Sequence, residues 1–570
     1  MRVSLSWLNE LVQVNEPVQE LAQRLSMAGF EEEEIDDLSA LAQGVVIGFV
    51  KEKDKHPNAD KLSVCQVDVG GPEPIQIVCG AGNVRAGIHV PVAMVGAVLP
   101  SANLTIKAGE LRGVASNGMI CSLSELGLAS DSDGIAVLDE LETDLPALGQ
   151  PVAAVLGLDD TVLDLAITAN RPDGLSMVGI AREVAALTGG ELSLPELDLV
   201  PQHEPLQTTA ESAEAMTAGG LYGISLIEEV DGSVASPAWV QRRLSRAGIN
   251  QVNAVVDITN VVMLEQGQPL HAFDADALER ITGKTVEAAS FGLRQALEGE
   301  TFTGLDDREL TLDGRAQVVT CHDHPIALAG VMGSKASGVG AATKRIWLES
   351  AMFSPVSVRT TARSVGLRTD ASARFEKGLP KDITLACSVR ALELLSAQFP
   401  CSLKGRWVCG ALEADAAPVT LRRQAVHRLL GPLVADNSEE RLPDAEIERC
   451  LSALGCQLSS TTEGWSVVAP PARRLDLARE IDLVEEVARL VGFDRFGSTL
   501  PHPIAPGALT PQQQAERQLR RLLSAAGLQE ITTLSLVGGD AGQQRIAISN
   551  PLLAETSHLR TNLWEEHLAV

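Results

Sequence analysis

Three segments rich in proline, alanine or acidic residues divide this chain into four blocks, and this division constrains the fold most strongly. The segments are ELSLPELDLVPQHEP (191–205), ALEADAAPVT (411–420) and GSTLPHPIAPGALTP (497–511). Such compositions interrupt helices and strands and are typical of linkers. A chain of 570 residues is also too long to fold around a single hydrophobic core. We therefore expect a multidomain protein.

The first block changes its periodicity twice. It begins with a helical pattern that ends at SMAGF, and from about residue 44 short strands follow, separated by glycine and proline. In LSVCQVDVG, the side chains of Cys65, Val67 and Val69 alternate with polar ones. Strands of this length and spacing favour a small β-barrel. Because helical periodicity returns at LSMVGIAREVAALTG, the barrel is predicted to be an insertion in an N-terminal helical domain.

The later blocks differ in their balance of helix and strand. The second block mixes a helix in ASPAWVQRRLSRAG, with Ser236 as its predicted cap, with strands in RAQVVTC and KRIWLE, and is predicted to be α+β. The third block contains the helices LRRQAVHRLLG and DAEIERCLSALG, each followed by a glycine, which indicates a small helical domain. The fourth block opens with the amphipathic helix PQQQAERQLRRLLSAAG.

Charge and cysteine content exclude several classes of protein. A net charge of −29 argues against a surface that binds nucleic acid everywhere, so RNA contacts must be local. One stretch, RTTARSVGLRTDASARFEKG, is basic and is interpreted as a loop that is more often solvated than ligand-bound. Nine cysteines without a CxxC spacing indicate reduced, buried thiols. With no apolar run of membrane-spanning length and no secretory signal, the chain is expected in the cytoplasm.

The stretch LDLAREIDLVEEV concentrates carboxylates beside an aliphatic stripe. At helical spacing the stripe consists of Ile481, Val484, Val487, Ala488 and Val491. The neighbouring face carries Asp482, Glu485, Glu486 and Arg489. Carboxylates this close repel one another, so they need water or a cation as partner. From the charge pattern alone, a solvated helix face is the favoured interpretation.

Ten motifs in one order resemble a known family. HPNADKLSVCQVDVG, CGAGNV, VGAVLP, LRGVASNGMICS and ELGL resemble the OB-type tRNA-binding domain. They are followed by NRPDGLSMVGIAREVAALTG, VNAVVDITNVVMLEQGQPLHAFD, ALAGVMG, SVGLRTDASARFEKG and LDLAREIDLVEEVARLVGF. Together they resemble the β subunits of bacterial phenylalanyl-tRNA synthetases over almost the whole chain.

This resemblance implies both a function and partners. The family's β subunit pairs with an α subunit in an (αβ)₂ assembly, in which α uses ATP to charge tRNA(Phe) with phenylalanine. The β subunit binds tRNA, supports α and hydrolyses tRNA mischarged with tyrosine. The missing GxxxxGK[ST] phosphate loop is consistent with activation of phenylalanine in α. No membrane or DNA partner is implied, and the alternative is a non-catalytic tRNA-binding and scaffolding fragment.

The resemblance also implies five domains, in a multidomain α+β fold. These are an N-terminal α+β domain (1–39 and 151–190), an OB-fold tRNA-binding domain (40–150), an α+β editing domain of the B3/B4 type (213–410), a small helical B5-type domain (416–496) and the start of a class II synthetase-like domain (510–570). The remainder of that last domain and an anticodon-binding domain are expected to be missing relative to the family.

Two groups of site residues are carried over from the family. The hydrolytic pocket is expected to be lined by His271, Glu349, Asn260, Gly333, Thr369 and Ala371. A Mg²⁺ ion shared with the α subunit is expected at Asp476, Asp482, Glu485 and Glu486. Carboxylate oxygens are hard ligands of the kind that Mg²⁺ prefers.

Overall fold

A computed structural model describes residues 1–129, 131–141, 145–199, 201–411, 417–435, 438–498, 500, 507–539 and 544–570. Parts of all three predicted linkers, residues 200, 412–416, 499 and 501–506, therefore lie outside the described residues. The chain forms two compact units, Met1–Gly497 and Ser498–Val570. Among the described residues, no helix is both long and apolar enough to cross a bilayer.

Over its described residues, the first block folds into two larger sheets, two two-stranded sheets and helices. Its elements in chain order are β1 (Arg2–Ser4), α1 (Leu5–Leu11), α2 (Val18–Met27), β2 (Glu31–Asp37), β3 (Val45–Lys55), β4 (Ser63–Asp68), β5 (Ile75–Cys79), β6 (His89–Met94), β7 (Val98–Leu99), β8 (Leu104–Thr105), β9 (Gly109–Leu111), β10 (Val114–Ser116), β11 (Gly118–Ile120), α3 (Ala153–Leu156), β12 (Thr161–Ala166) and α4 (Met177–Thr188).

One sheet of this block joins residues from both sides of the barrel-like segment. Its order is β1-β12-β2, and all pairs are antiparallel. The five-stranded sheet, β11-β6-β3-β4-β5, is built from the residues between β2 and β12. In β4 the side chains of Cys65 and Val67 are fully buried, as the alternation predicted.

The second block is an α+β structure around a five-stranded sheet. Its elements are β13 (Glu204–Pro205), α5 (Ala210–Gly219), β14 (Leu221–Glu228), α6 (Ala238–Ala247), α7 (Ala254–Gln266), β15 (Leu270–Asp274), α8 (Ala275–Thr282), β16 (Phe291–Gln295), β17 (Thr301–Thr303), β18 (Glu309–Thr311), β19 (Gln317–Cys321), β20 (His324–Leu328), β21 (Met332–Gly333), β22 (Arg345–Ala351), α9 (Pro355–Val365), α10 (Asp370–Lys377), α11 (Thr384–Ser396) and β23 (Ser402–Gly410).

The order of the central sheet, β13-β23-β14-β22-β15, positions the candidate site. A second sheet, β16-β19-β20-β21, carries the glycine of the VMG motif at its edge. The predicted cap Ser236 was wrong: Pro237 is the N-cap of α6, and the Ser236 hydroxyl donates to Asp257 at 2.6 Å. The basic stretch predicted as a loop forms α9, a short connection and α10.

The third block corrects the prediction of a small helical domain. Its elements are β24 (Val419–Arg422), α12 (Arg423–Leu430), β25 (Leu433–Ala435), β26 (Ser438–Glu440), α13 (Asp444–Ala453), β27 (Gln457–Ser460), β28 (Gly464–Val468) and α14 (Glu480–Val491). A three-stranded sheet, β24-β28-β27, packs with the helices, and the buried side chains of Trp465 and Val467 alternate along β28. Strands this short were missed because a five-residue alternation is a weak signal.

Among its described residues, the second unit contains two helices and two short strands. They are α15 (Pro511–Ala525), β29 (Leu536–Val537), β30 (His558–Leu559) and α16 (Trp564–Ala569). The amphipathic helix was predicted at α15, where Thr510 caps the N-terminus by accepting a hydrogen bond from Gln513 N. Every residue of this unit whose burial the structure describes is exposed or partly exposed.

Candidate functional site

His271 and Glu349 form a direct cross-strand pair in the central sheet. Strands β15 and β22 run antiparallel, and their register places His271 opposite Glu349. Directly opposed residues project from the same face of a sheet, with their Cβ atoms about 5 Å apart. The tertiary structure therefore brings together two polar side chains that are 78 residues apart in the sequence (349 − 271).

The imidazole of His271 is held in an apolar environment. Its ring packs edge-on against Phe273, with centroids 4.6 Å apart, and a Cβ at Gly333 would lie 2.3 Å from its Cε1. Only glycine at position 333 allows this approach. Burial lowers the pKa of His271 to about 4, so the ring is neutral at pH 7. Its buried Nε2 has no hydrogen-bond partner within the described part of the chain.

Glu349 is a buried carboxyl group with one oxygen engaged. Only 7% of the residue is exposed, and Oε2 accepts a hydrogen bond of 2.9 Å from the Tyr222 hydroxyl. Burial raises the pKa of Glu349 to about 7, although the hydrogen bond from Tyr222 opposes the rise. The carboxyl therefore changes its charge close to neutral pH.

Three further expected pocket residues lie on helices or helix caps. The Thr369 hydroxyl caps α10 by accepting from Ser372 N at 3.1 Å, and it donates to Val331 O at 2.9 Å, two residues from Gly333. Ala371 occupies the first turn of α10 and packs against the apolar core of the block. Asn260 lies on α7, which packs against the strand that carries His271.

The four predicted metal ligands line one cleft. A cleft of about 490 Å³ is lined by Asp476, Asp482, Glu485 and Glu486, together with Lys377 and others. In the described part of the chain, no three His, Cys, Asp or Glu side chains converge as a metal centre. The four carboxylates line the same cleft but do not converge on a single point.

Arginines pair with three of these four carboxylates. Arg473 lies between Asp476 and Glu486, with N···O distances of 2.7 and 2.9 Å. Arg479 pairs with Asp482 at 2.7 Å. Glu485 is exposed. Burial opposes ionisation of Glu486, but Arg489 and Arg473 lower its pKa to about 2.

A solvated helix face is therefore the wrong interpretation for most of α14. Asp482, Glu486 and Arg489 are only 9, 5 and 8% exposed, whereas Ile481, predicted on the buried stripe, is 47% exposed. The remaining stripe residues, Val484, Val487, Ala488 and Val491, are buried as predicted. The charged face was misjudged because the sequence does not reveal which other element covers it.

The basic stretch is also partly buried. Arg374 is only 2% exposed and donates to Leu175 O at 3.2 Å, while Lys377 Nζ donates to Ile167 O at 2.9 Å. Both side chains thus join α10 to the first block. Arg359, Arg363 and Arg368 remain exposed.

Comparison with known proteins identifies the family. The phenylalanine–tRNA ligase beta subunit of Parasynechococcus marenigrum (strain WH8102) is 77% identical over 570 residues, which cover 100% of this chain and 70% of that protein. This chain belongs to the phenylalanine–tRNA ligase beta subunit family. The beta subunit of Prochlorococcus marinus (strain MIT 9313) is 65% identical over 571 residues, with the same two coverages.

Four family models match consecutive parts of this beta subunit family member. They are a putative tRNA binding domain (45–144), a B3/4 domain (219–399), a tRNA synthetase B5 domain (419–493) and a phenylalanyl tRNA synthetase beta chain CLM domain (497–570). His271 and Glu349 fall within the B3/4 match, and the acidic stretch of α14 falls within the B5 match.

A solved fragment of a beta subunit was also matched. It is the N-terminal fragment of the phenylalanyl-tRNA synthetase beta subunit from Pyrococcus horikoshii, which is 16% identical and covers 58% of this chain and 88% of that one. The TM-score is 0.32, too low to compare the folds in detail.

Proposed function

We propose that this chain acts as the beta subunit of phenylalanine–tRNA ligase. In this role it binds tRNA(Phe), supports an alpha subunit that uses ATP to attach phenylalanine, and hydrolyses tRNA mischarged with tyrosine. Identity of 77% across the chain supports the ligase role. The pairing of buried Glu349 with neutral His271 carries the proposal of hydrolysis.

Glu349 provides a basis for choosing tyrosine over phenylalanine. The two amino acids differ by one hydroxyl, which an apolar synthetic pocket rejects only about a hundredfold. A buried carboxylate can accept a hydrogen bond from the phenol. Phenylalanine would leave the second oxygen of the Glu349 carboxylate without a hydrogen bond, at a cost of roughly 1–3 kcal/mol. Oε1 of Glu349 is available for this contact, since it has no hydrogen bond within the described residues.

His271 is suited to positioning rather than to strong base catalysis. An imidazole whose pKa is about 4 stays neutral at pH 7 and can both donate and accept a hydrogen bond. Its unpartnered Nε2 can orient water or the terminal adenosine of tRNA. An aminoacyl ester is already reactive, so correct placement of water supplies most of what its hydrolysis needs.

The acidic cleft is proposed to hold Mg²⁺ shared with the alpha subunit. Mg²⁺ is usually held by one or two carboxylates, with water at the remaining positions. Asp482 and Glu485 fit this role because Glu485 is exposed and Arg479, the partner of Asp482, has a side chain that is 76% exposed and can move into solvent. Asp476 and Glu486 are instead held by the buried Arg473. A bound ion would neutralise the carboxylates of Asp482 and Glu485 and link the two subunits.

The assignment of individual domains is proposed from the sheet topology and from the family to which the chain belongs. The hydrogen bond from Asn117 N to Gln76 O, at 2.9 Å, lies between β10–β11 and β5 and supports closure of the sheet into an OB-type barrel over residues 40–150. We assign 1–39 with 151–190, 213–410 and 416–496 to the N-terminal, editing and B5-type domains, and 510–570 to a class II synthetase-like domain. An (αβ)₂ assembly completes the proposal.

Deacylation of mischarged tRNA tests the proposal. Hydrolysis of Tyr-tRNA(Phe) and Phe-tRNA(Phe) is followed in the presence of the alpha subunit, with and without this chain. We expect Tyr-tRNA to be hydrolysed at least tenfold faster than Phe-tRNA. Binding of tRNA without any hydrolysis above background would instead support a non-catalytic scaffold.

A further inference from the structure

Tyr222 makes the same kind of contact with Glu349 that a tyrosyl substrate would make. It is the one tyrosine in the 570-residue sequence, it lies on β14, and it is fully buried. Its hydroxyl donates to Glu349 Oε2 at 2.9 Å, and its ring packs edge-on against Phe353 with centroids 6.4 Å apart. The chain thus supplies a phenol of its own to the carboxyl group.

Packing alone does not require this hydroxyl. A phenylalanine at position 222 would fill almost the same volume, whereas burying a hydroxyl costs free energy unless it is hydrogen-bonded. Within the described residues, Glu349 is the single hydrogen-bond partner of the Tyr222 hydroxyl. The hydroxyl therefore acts on Glu349 and on little else.

We propose that Tyr222 is a positioning residue for substrate selection: by occupying Oε2, it fixes the carboxyl group of Glu349 so that Oε1 receives the hydroxyl of a tyrosyl ester. This inference rests on the proposed role of Glu349. A carboxyl group rotates readily about its last torsion, so an unheld group would not present one oxygen consistently. Holding one oxygen removes that freedom before substrate arrives.

The hydrogen bond also favours the charged carboxylate. Burial raises the pKa of Glu349, and the donor at Tyr222 limits the rise. The other titratable neighbours add little charge: His271 on β15 is neutral at pH 7, and burial raises the pKa of Cys321, beside Tyr222, to about 12. Tyr222 is therefore the neighbour that keeps Glu349 a strong acceptor near neutral pH.

Tyr222→Phe tests the proposal in the assembled enzyme. We expect the ratio of Tyr-tRNA to Phe-tRNA hydrolysis to fall about tenfold, because a hydrogen bond to a charged group is lost. The rise of Tyr-tRNA hydrolysis with pH, corrected for uncatalysed hydrolysis, should move up by about one pH unit, since losing the donor disfavours the charged form. Ser388→Ala removes another buried hydroxyl of the same block, bonded to Leu385 O, and should change neither quantity.

Two outcomes separate this inference from the proposed function. If Glu349→Ala leaves the ratio unchanged, Glu349 does not select the substrate and both proposals are wrong. If Glu349→Ala collapses the ratio but Tyr222→Phe changes neither the ratio nor the pH profile, only the role of Tyr222 is wrong.

Fluorination provides a test that preserves packing. Because the sequence contains a single tyrosine, growth on 3-fluorotyrosine modifies this chain at position 222 alone, before it is mixed with unlabelled alpha subunit. The fluorinated phenol is a stronger donor of nearly the same size. We expect the pH profile to move down, opposite to Tyr222→Phe, and an unchanged profile would overturn the proposal even if Tyr222→Phe fails to fold.

Discussion

Arg489 on α14 donates to both carboxylate oxygens of Glu183 on α4, 306 residues earlier in the chain. Arg489 also pairs with Glu486 at 2.6 Å, and Glu183 accepts a second guanidinium, that of Arg171, at 2.9 Å. Positive and negative groups therefore alternate from the first block to the acidic cleft. A buried charge is costly without a partner, so each member depends on its neighbours.

Glu183→Gln should destabilise the chain strongly. The substitution leaves Arg489 and Arg171 buried with fewer counter-charges, and breaking such a pair costs about 3 kcal/mol or more. Urea unfolding of the first unit measures the loss. Glu485→Gln, on the exposed part of α14, serves as the control and should change the free energy of unfolding by less than about 0.5 kcal/mol. Equal effects of the two substitutions would show that the stability of this charge network does not depend on Glu183.

Removing the carboxylates of Asp482 and Glu485 should weaken Mg²⁺ binding without unfolding the chain. Asp482→Asn with Glu485→Gln takes away the two carboxylates of the cleft that the buried Arg473 does not hold, and we expect the affinity for Mg²⁺ to fall about tenfold. Calorimetric titration of the complex with Mg²⁺ measures it. The matched control, Asp444→Asn with Glu446→Gln on α13, removes the same charge from outside the cleft. Equal binding by the two double variants would place the ion elsewhere.

Glu349→Ala and His271→Ala should affect hydrolysis differently. Loss of Glu349 should slow Tyr-tRNA hydrolysis by one to two orders of magnitude, the equivalent of roughly 1.5–3 kcal/mol, and bring the Tyr/Phe ratio towards one. Loss of His271 should slow both substrates, because placing water does not depend on the hydroxyl. Rates with both charged tRNAs are the measurement. The opposite pattern would mean that the two roles are exchanged.

Gly333→Ala should displace His271. The added methyl group would lie 2.3 Å from Cε1 and 2.4 Å from Nε2 of the imidazole, so the ring must move. We expect Tyr-tRNA hydrolysis to fall at least tenfold while tRNA binding is kept. Gly340→Ala is the control, since a Cβ there meets no atom within 4 Å. Normal hydrolysis by Gly333→Ala would remove His271 from the proposed site.

Glu349 and His271 should give opposing pH dependences of stability. Burial raises the pKa of Glu349 from 4.5 to about 7, so its contribution is lost as the pH rises through that window. Burial lowers the pKa of His271 from 6.5 to about 4, so its contribution is lost as the pH falls through that window. In the parent chain the two effects largely cancel between pH 4.5 and 6.5.

Substituting Glu349 or His271 alone should reveal the pH dependence of stability that the other residue causes. Between pH 4.5 and 6.5, the melting temperature of Glu349→Gln should rise with pH, and that of His271→Gln should fall. Calorimetric melting at four pH values, relative to the parent chain, measures both slopes. If both variants keep the parent profile, burial does not shift these groups as described.

Local pattern predicted many elements but not their surroundings. The helix α4, the alternation in β4 and four residues of the α14 stripe follow from periodicity, because burial of one face repeats with the geometry of the element. The acidic run Glu31–Asp37 carried no strand signal, yet it forms β2, because β12 offers an antiparallel partner. The composition of a strand does not show which distant strand it pairs with.

The sequence by itself determined the family, the order of the domains and the chemical types at the candidate site. Tertiary structure decided which of those groups meet and which charges are buried. Tyr222 and Glu349 are 127 residues apart, and no local pattern links them. The order and register of the strands nevertheless place the Tyr222 hydroxyl within hydrogen-bond distance of the Glu349 carboxylate. The carboxylate of Glu486 likewise looked solvated along its helix, and only tertiary packing buried it between Arg489 and Arg473. The physical reason is that burial depends on the neighbour across space, while periodicity reports only the element itself.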